Sequence, residues 1–261
     1  KIGDPDTVIQ YQTRKYGCAN RPIACGGIFN VTTGKYPVGE THKPEYETIG
    51  AFGTMCMCDD LEAIIKLNDM CNRSGLDTIS AGTALAFAME CFEKGIISES
   101  DTDGLNLTWG NAEAMIAMTD KMIAREGFGD ILADGVKMAA QRIGSGAEEF
   151  AMHIGGQEPG LHNALFLPSR GTGFVCDPTP GRHTAAPMAA IDGGARQFAP
   201  YPELKIDKFE KYTYTGKGPT SATASKYLKV GSSSGVCIMP IMFFGKYQRI
   251  EFFNDVTGWD L

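Results

Sequence analysis

The apolar positions of this chain change their spacing along its length. Over residues 1–58 they show little helical period, and Gly, Pro and Thr are frequent. That stretch reads as loops with short extended pieces. At Asp59 the pattern turns helical. Leu61, Ile64, Ile65, Asn68 and Cys71 fall on one face, and Gly75 marks the end. Asp59, with Glu62 three residues on, predicts a capping box at the start. A second helix is predicted from about Ser80 to Lys94, stopped by Gly95. Its sequence, SAGTALAFAMECFEK, is apolar nearly all round, which predicts burial on most sides.

Asn111 is placed to cap a third helix, through Met115, Met118 and Met122 to Glu126. Asp130 is placed to cap a fourth, with Leu132, Val136, Ala139 and Ile143 on one face and Gly144 at the end. The segment EEFAMHIGG predicts a short strand. Residues 155–218 are again rich in Gly and Pro, a helix is predicted across 219–229, and GVCIMPIMFFG is apolar but broken by Pro240. The fold class is therefore mainly α, with few short strands and long Gly/Pro-rich loops. A boundary near 150 separates a helical domain, 1–150, from a second helical lobe, 151–261.

Composition narrows the function. The 261 residues are 43% hydrophobic and 21% charged, enough for a sizeable core, and the net charge is −7. An acidic chain without a basic run argues against nucleic acid as a partner. No apolar run reaches the roughly 18 residues of a membrane span. No signal peptide opens the chain. Lys1 at the start, and DVTGWDL at the end like the entry to another helix, read as the limits of an excerpt from a longer protein.

Eight cysteines stand at 18, 25, 56, 58, 71, 91, 176 and 237. A chain with a core of this size needs no disulfide staples. Cys71 and Cys91 lie in helical patterns and read as buried thiols. The other six cluster near Gly and Pro, where ligand thiolates in a reducing compartment explain them better than bridges. Cys18 and Cys25 bracket a turn in YGCANRPIACGG, spaced C-x6-C, which fits neither a zinc knuckle nor a thioredoxin-like pair. Thiolates ligate iron–sulfur clusters, and Cys237 in SSSGVCIMP is a candidate distant ligand; the alternative is three buried loop thiols.

Two further constellations carry potential chemistry. The first is GETHKPEYETIGAFGTMCMCDD, with Glu40, His42, Glu45 and Glu47 ahead of Cys56 and Cys58. A carboxylate beside an imidazole shuttles protons near neutral pH, and a solvated acidic loop is the plainer account. His183, in DPTPGRHTAAP, is the histidine whose setting most resembles a pocket lining, whereas His153 reads as packed. The second is CNRSGLDTISAG, where Asp77 precedes a helix start whose free N–H groups bind anions.

Taken together, these segments resemble the tungsten-containing aldehyde ferredoxin oxidoreductase family, in its order and over most of the chain. GCANRPIACGG resembles its cluster loop, PEYETIGAFGTMC its segment ending in GxxC, and CNRSGLDTIS its first pterin-contacting motif. SSSGVC resembles the second copy of that motif, and VTGWDL a further family segment. The resemblance implies helical domains of the aldehyde ferredoxin oxidoreductase type, with an N-terminal β domain outside this sequence.

It also implies tungsten held by two pyranopterin (molybdopterin) dithiolenes, a [4Fe–4S] cluster close by, and a cytoplasmic, oligomeric enzyme. Its electron partner would be a ferredoxin or an iron–sulfur subunit. Cys18, Cys25 and Cys237 are implied as cluster ligands. Asn72, Gly75, Leu76, Asp77, Ser232, Gly235 and Val236 are implied at the pterins, and Glu47 and His183 as the acid/base pair. Arg21 stands where the family has its middle loop cysteine and is counted with the cofactor-binding residues. Asn72 and Ser232 replace the Asp that opens each pterin motif, HNAL at 162–165 replaces HDPR, and Lys66 replaces a carboxylate of an intersubunit iron site.

The family also includes the catalytic subunit of the tungsten-containing (class II) benzoyl-CoA reductase. Its likeness makes Cys56 a direct tungsten ligand. The substrate is then an aldehyde or an aromatic acyl-CoA, for which the apolar IMPIMFFG would suit a ring. A cofactor-free helical scaffold or binding subunit is the alternative.

Overall fold

The computed structural model describes residues 2–19, 23–184, 192, 197–198, 201–205, 210–233, 235, 237 and 249–260. Two compact units divide the chain, Lys1–Leu161 and His162–Leu261.

The first unit opens with a short helix α1, Pro5–Ile9, capped by Asp4. A three-stranded antiparallel sheet follows, in the order β1 (Gln12–Tyr16), β2 (Gly26–Val31), β3 (Gly39–His42). Tyr16 pairs with Gly26, and Ile28 with His42. These strands are the short extended pieces expected in residues 1–58; their pairing into one sheet was not read from the sequence. Each is short, and only the middle one is buried along most of its length, with Ile28 on one face and Phe29 and Val31 on the other. Helix α2, Tyr46–Ile49, runs straight into a π-helical turn, Gly50–Met55.

Helix α3, Leu61–Ser74, ends at Gly75, whose φ of 72° is the left-handed conformation that glycine adopts without strain. Its cap is Asp60, which accepts from the Ala63 N–H, and not the expected Asp59. Glu62 takes no part in a capping box. It accepts from the Tyr11 hydroxyl and the Lys35 N–H, tying α3 to the preceding loops. Helix α4, Thr78–Glu93, is capped by Asp77 and buried on most sides, as its composition predicts. Helix α5, Ala112–Ala124, is capped by Asn111.

The predicted fourth helix is two helices, α6 (Gly127–Leu132) and α7 (Val136–Ile143), broken at Gly135 with φ 83°. Asp130 therefore caps nothing. The Phe128 N–H bonds to Asp103 and the Val136 N–H to buried Glu158. The expected strand in EEFAMHIGG is a 3₁₀ turn, Ala147–Glu149, and a single bridge between Ile154 and Gln157.

The core of this unit gathers Phe29, Phe52, Ile64, Ile65, Leu67, Leu85, Met89, Met115 and Met118, all fully buried. Each contributes about 1.5–3 kcal/mol on burial. Cys71 and Cys91 belong to this core, as expected.

In the second unit, α8 (Pro168–Cys176) starts on a proline. A two-stranded sheet joins β4 (Gln197–Phe198) and β5 (Tyr201–Lys205). Helix α9 spans Lys217–Ser233, beyond both ends of the predicted 219–229, and α10 spans Arg249–Thr257. Lys217 and Asp192 form a buried ion pair at 2.9 Å, and Asp192 also accepts from Ser169. The segment IMPIMFFG lies outside the described residues.

Candidate cofactor site

The loop between β1 and β2 carries Cys18 just past the end of one strand and Cys25 just before the other. Strand pairing at Tyr16 and Gly26 closes this hairpin, and both cysteines are exposed on it. The C-x6-C spacing is thus the length of a hairpin loop. Arg21 lies outside the described residues. The Lys43 ammonium donates to the Cys25 carbonyl at 3.0 Å. The Tyr16 ring lies on Gly26, where an added Cβ would come within 2.5 Å of Cζ. Burial pushes the Tyr16 hydroxyl above its ordinary pKa, helped by Glu45 and by the nearby Cys18 and Cys25 sulfurs.

Near it a cleft of about 300 Å³ opens between β3 and the C-terminal end of α3. Ile28, Glu40, Thr41, His42, Asp69, Asn72 and Arg73 line it. Its walls are joined by three side chains of α3. Asn68 donates to the His42 carbonyl, Asp69 accepts from the Thr41 hydroxyl at 2.7 Å, and Arg73 reaches the Glu40 carbonyl. Asp69 also accepts from its i+4 neighbour Arg73 at 2.8 Å, which pairs a nearly buried carboxylate with a guanidinium.

Asn72 is exposed at the rim. Gly75 and Leu76 make the turn that follows, and the Asp77 carboxylate is engaged with the Ser80 N–H at 2.8 Å. Sequence patterns had offered Asn72 but not Asp69 or Thr41. Their signal was three-dimensional, because the pairing of β3 was not foreseen.

Glu47 sits on α2, where the chain enters the π-helical turn. Its carboxylate is buried, and Oε2 accepts from the Leu161 N–H at 2.8 Å. π-Turns widen the helix and re-aim side chains, and they recur at functional positions. Cys56, just after this turn, is fully buried and its thiol donates to the Gly82 carbonyl. Burial, with Cys58 beside it, pushes the Cys56 thiol far above its ordinary range. Burial likewise holds Cys71 up at about 12 and Cys91 at about 11. These thiols are protonated at neutral pH.

In the second unit the rings of His183 and His162 pack with centroids 4.8 Å apart, and the buried Arg170 guanidinium donates to the His183 carbonyl. His162 belongs to the HNAL stretch; its proximity to His183 was not legible from spacing. Ser232 lies in the last turn of α9, with Gly235 at φ 71° and half-buried Cys237 just beyond. Val236 lies outside the described residues.

Fold and residues together define a mainly α protein with a paired-thiol hairpin set beside a polar cleft. The family model for aldehyde ferredoxin oxidoreductase, domains 2 and 3, matches residues 1–261, and the chain belongs to this family. It is 32% identical over 254 residues to the tungsten-containing aldehyde ferredoxin oxidoreductase of Pyrococcus furiosus, covering 96% of this chain and 39% of that protein. The corresponding Thermococcus kodakarensis protein is 34% identical over 252 residues, with the same coverage.

The aliphatic sulfonate oxidoreductase WOR-like subunit of Pyrococcus furiosus is 32% identical over 151 residues, 56% of this chain and 24% of that protein. Among solved structures, the active-site complex BamBC of benzoyl coenzyme A reductase with 1,5-dienoyl-CoA shares the fold. Its TM-score is 0.64 at 23% identity, covering 86% of this chain and 36% of that one. The chain thus spans about two fifths of the length of the full relatives it matches. No helix among the described residues is long and apolar enough to cross a membrane.

Proposed function

We propose that this chain is the part of a tungsten-dependent oxidoreductase that holds an iron–sulfur cluster and contributes to pterin binding, and that the enzyme oxidises aldehydes to carboxylates. The observation that supports it is the placement of a two-thiol hairpin and a polar cleft on one small sheet, in a chain matched along its whole length by the family. Two exposed thiols on one hairpin suit iron, a thiolate-seeking metal. The cleft suits a small polar heterocycle, for which Asn72 offers both a donor and an acceptor.

Cys18, Cys25 and Cys237 would hold the cluster, and Arg21, in place of a further hairpin cysteine, leaves one iron to another ligand. Asn72, Gly75, Leu76 and Asp77, with Ser232, Gly235 and Val236 of the second unit, would hold the pterins. Cys56, just past the π-helical turn, would be a direct tungsten ligand in the benzoyl-CoA reductase-like reading.

When bound, tungsten supplies two-electron redox chemistry and the cluster passes electrons on singly. The net reaction takes an aldehyde and water to a carboxylic acid, two electrons and two protons. The residues of this chain handle the protons. The Glu47 carboxylate, fixed by the Leu161 N–H and sheltered from bulk water, accepts a proton from the attacking water. The His183 imidazole, its backbone held by Arg170 and its ring against His162, is the second proton carrier. A ferredoxin-type partner takes the electrons.

The test is metal analysis and assay of the full-length protein purified without oxygen. Equimolar tungsten with about four irons per chain is expected for a cubane cluster, together with viologen reduction that depends on aldehyde. Turnover with benzoyl-CoA or its cyclic diene in place of aldehyde would overturn the substrate. Protein without tungsten would overturn the enzyme class and leave a helical scaffold.

A further inference from the structure

Between the thiol hairpin and the cleft stands a pair of side chains that no role above uses. The Tyr16 hydroxyl lies 2.7 Å from His42 Nδ1, and the two rings meet edge to face with centroids 5.4 Å apart. Tyr16 is the last residue of β1, and its ring covers Gly26, its partner across the strands and the neighbour of Cys25. An aromatic ring over a cross-strand glycine fixes the local register, since glycine itself supplies no side-chain contact. His42 ends β3 and is held in turn through its carbonyl by Asn68 of α3. The hairpin that carries Cys18 and Cys25 is thereby anchored, through one tyrosine and one histidine, to the helix behind the cleft. Lys43, adjacent to His42, adds its bond to the Cys25 carbonyl.

We infer that Tyr16 and His42 are a positioning pair that holds the Cys18–Cys25 hairpin in its cluster-binding geometry and so sets the cluster's reduction potential. The inference rests on the cluster reading above. Hydrogen bonding and solvent exposure around the sulfurs are among the quantities that set such potentials. The pair touches neither substrate nor cluster in this assignment; it acts through the placement of the two cysteines.

The test compares Tyr16→Phe, His42→Leu, His42→Asn and the Tyr16→Phe/His42→Leu double variant with wild type, in full-length protein purified anaerobically. The readouts are iron per chain and the cluster's midpoint potential, followed by electron paramagnetic resonance. Asparagine keeps an acceptor near the position of Nδ1, so His42→Asn is the conservative rescue. Tyr16→Phe and His42→Leu are expected to shift the potential, or lower the iron content, in the same direction. The double variant is expected to go no further, as for two partners of one interaction, and His42→Asn to return towards wild type.

A wild-type potential and iron content in Tyr16→Phe would overturn the inference, as would additive shifts or a His42→Asn variant as impaired as His42→Leu. If His42→Leu does not fold, Tyr16→Phe against His42→Asn decides by the same criteria. Wild-type protein devoid of iron would instead overturn the cluster reading and the inference with it; an iron-loaded wild type with an unaltered Tyr16→Phe overturns the inference alone.

Discussion

The Glu47 carboxylate accepts the backbone N–H of Leu161 at 2.8 Å, joining residues 114 positions apart in the chain. One buried side chain therefore has a structural duty as well as the proton-handling role proposed for it. The two separate experimentally. Glu47→Gln keeps a carbonyl acceptor for Leu161 but carries no proton, so melting is expected to change little while kcat for aldehyde falls ~10²–10⁴-fold. Glu47→Ala also orphans the buried N–H, which costs about 1–3 kcal/mol. Thermal denaturation alongside dye-reduction kinetics checks both. An unchanged kcat in folded Glu47→Gln would remove the proton role from Glu47.

Packing of α4 on the π-helical turn leaves no room at Gly82. A methyl there would lie 2.6 Å from the Ala51 Cβ and 3.0 Å from its carbonyl carbon. Gly82→Ala is expected to destabilise by ~1–3 kcal/mol as overpacking, with a lowered melting temperature. Since the same turn follows Glu47 directly, activity is expected to fall further than the folded fraction does.

Thiol reactivity should sort the cysteines by environment. In cofactor-free protein at neutral pH, a maleimide is expected to label the exposed Cys18, Cys25 and Cys176. Cys56, Cys58, Cys71 and Cys91 should react only after unfolding, because burial both blocks access and raises the thiols' pKa. In iron-loaded protein Cys18 and Cys25 should become protected while Cys176 stays reactive. Mass spectrometry of the labelled peptides gives the answer.

The second unit has an acid-sensitive point at Asp177. Burial opposes ionisation of this carboxyl, but bonds from the Ser225 hydroxyl, the Thr179 N–H and the Lys229 ammonium outweigh it and bring the pKa below its ordinary value. A depressed folded-state pKa means that stability is present above the unfolded value of about 4 and is lost as pH falls through the lower folded value. Denaturant melts between about pH 5 and pH 3 should show this loss. Asp177→Asn should weaken that dependence, and Ser225→Ala should cost about 1–2 kcal/mol at neutral pH.

The helices were readable in the sequence because their apolar spacing and end signals agree. Asn111 caps α5 as its position implies, Gly75 and Gly95 take left-handed conformations beyond α3 and α4, and Cys71 and Cys91 are core thiols. The misreadings arose where two residues competed for one role or where contacts were distant. Asp59 and Asp60 are equally good caps by composition, and only backbone geometry selects Asp60. Asp130 looked like a cap because Leu132, Val136, Ala139 and Ile143 share one helical face, whereas the chain breaks between Leu132 and Val136 and a new helix starts from Gly135.

The sheet escaped notice for a different reason. QTRKY and GETH alternate weakly, and their pairing depends on β2, whose hydrophobic run is brief. With the sheet went the cleft, for which β3 supplies Glu40, Thr41 and His42. The individual cysteines and Asn72 could be picked out by residue type. Tyr16, Asp69 and His162 could not, since each matters only through a partner far away in the chain.

The outer position of β1 has one more consequence. Thr13, Arg14 and Lys15 are solvent-facing along that strand. Cationic side chains on a sheet margin repel a second copy seeking to add its own strand there. Strand-by-strand growth of the sheet at this margin is therefore disfavoured next to the two exposed cysteines.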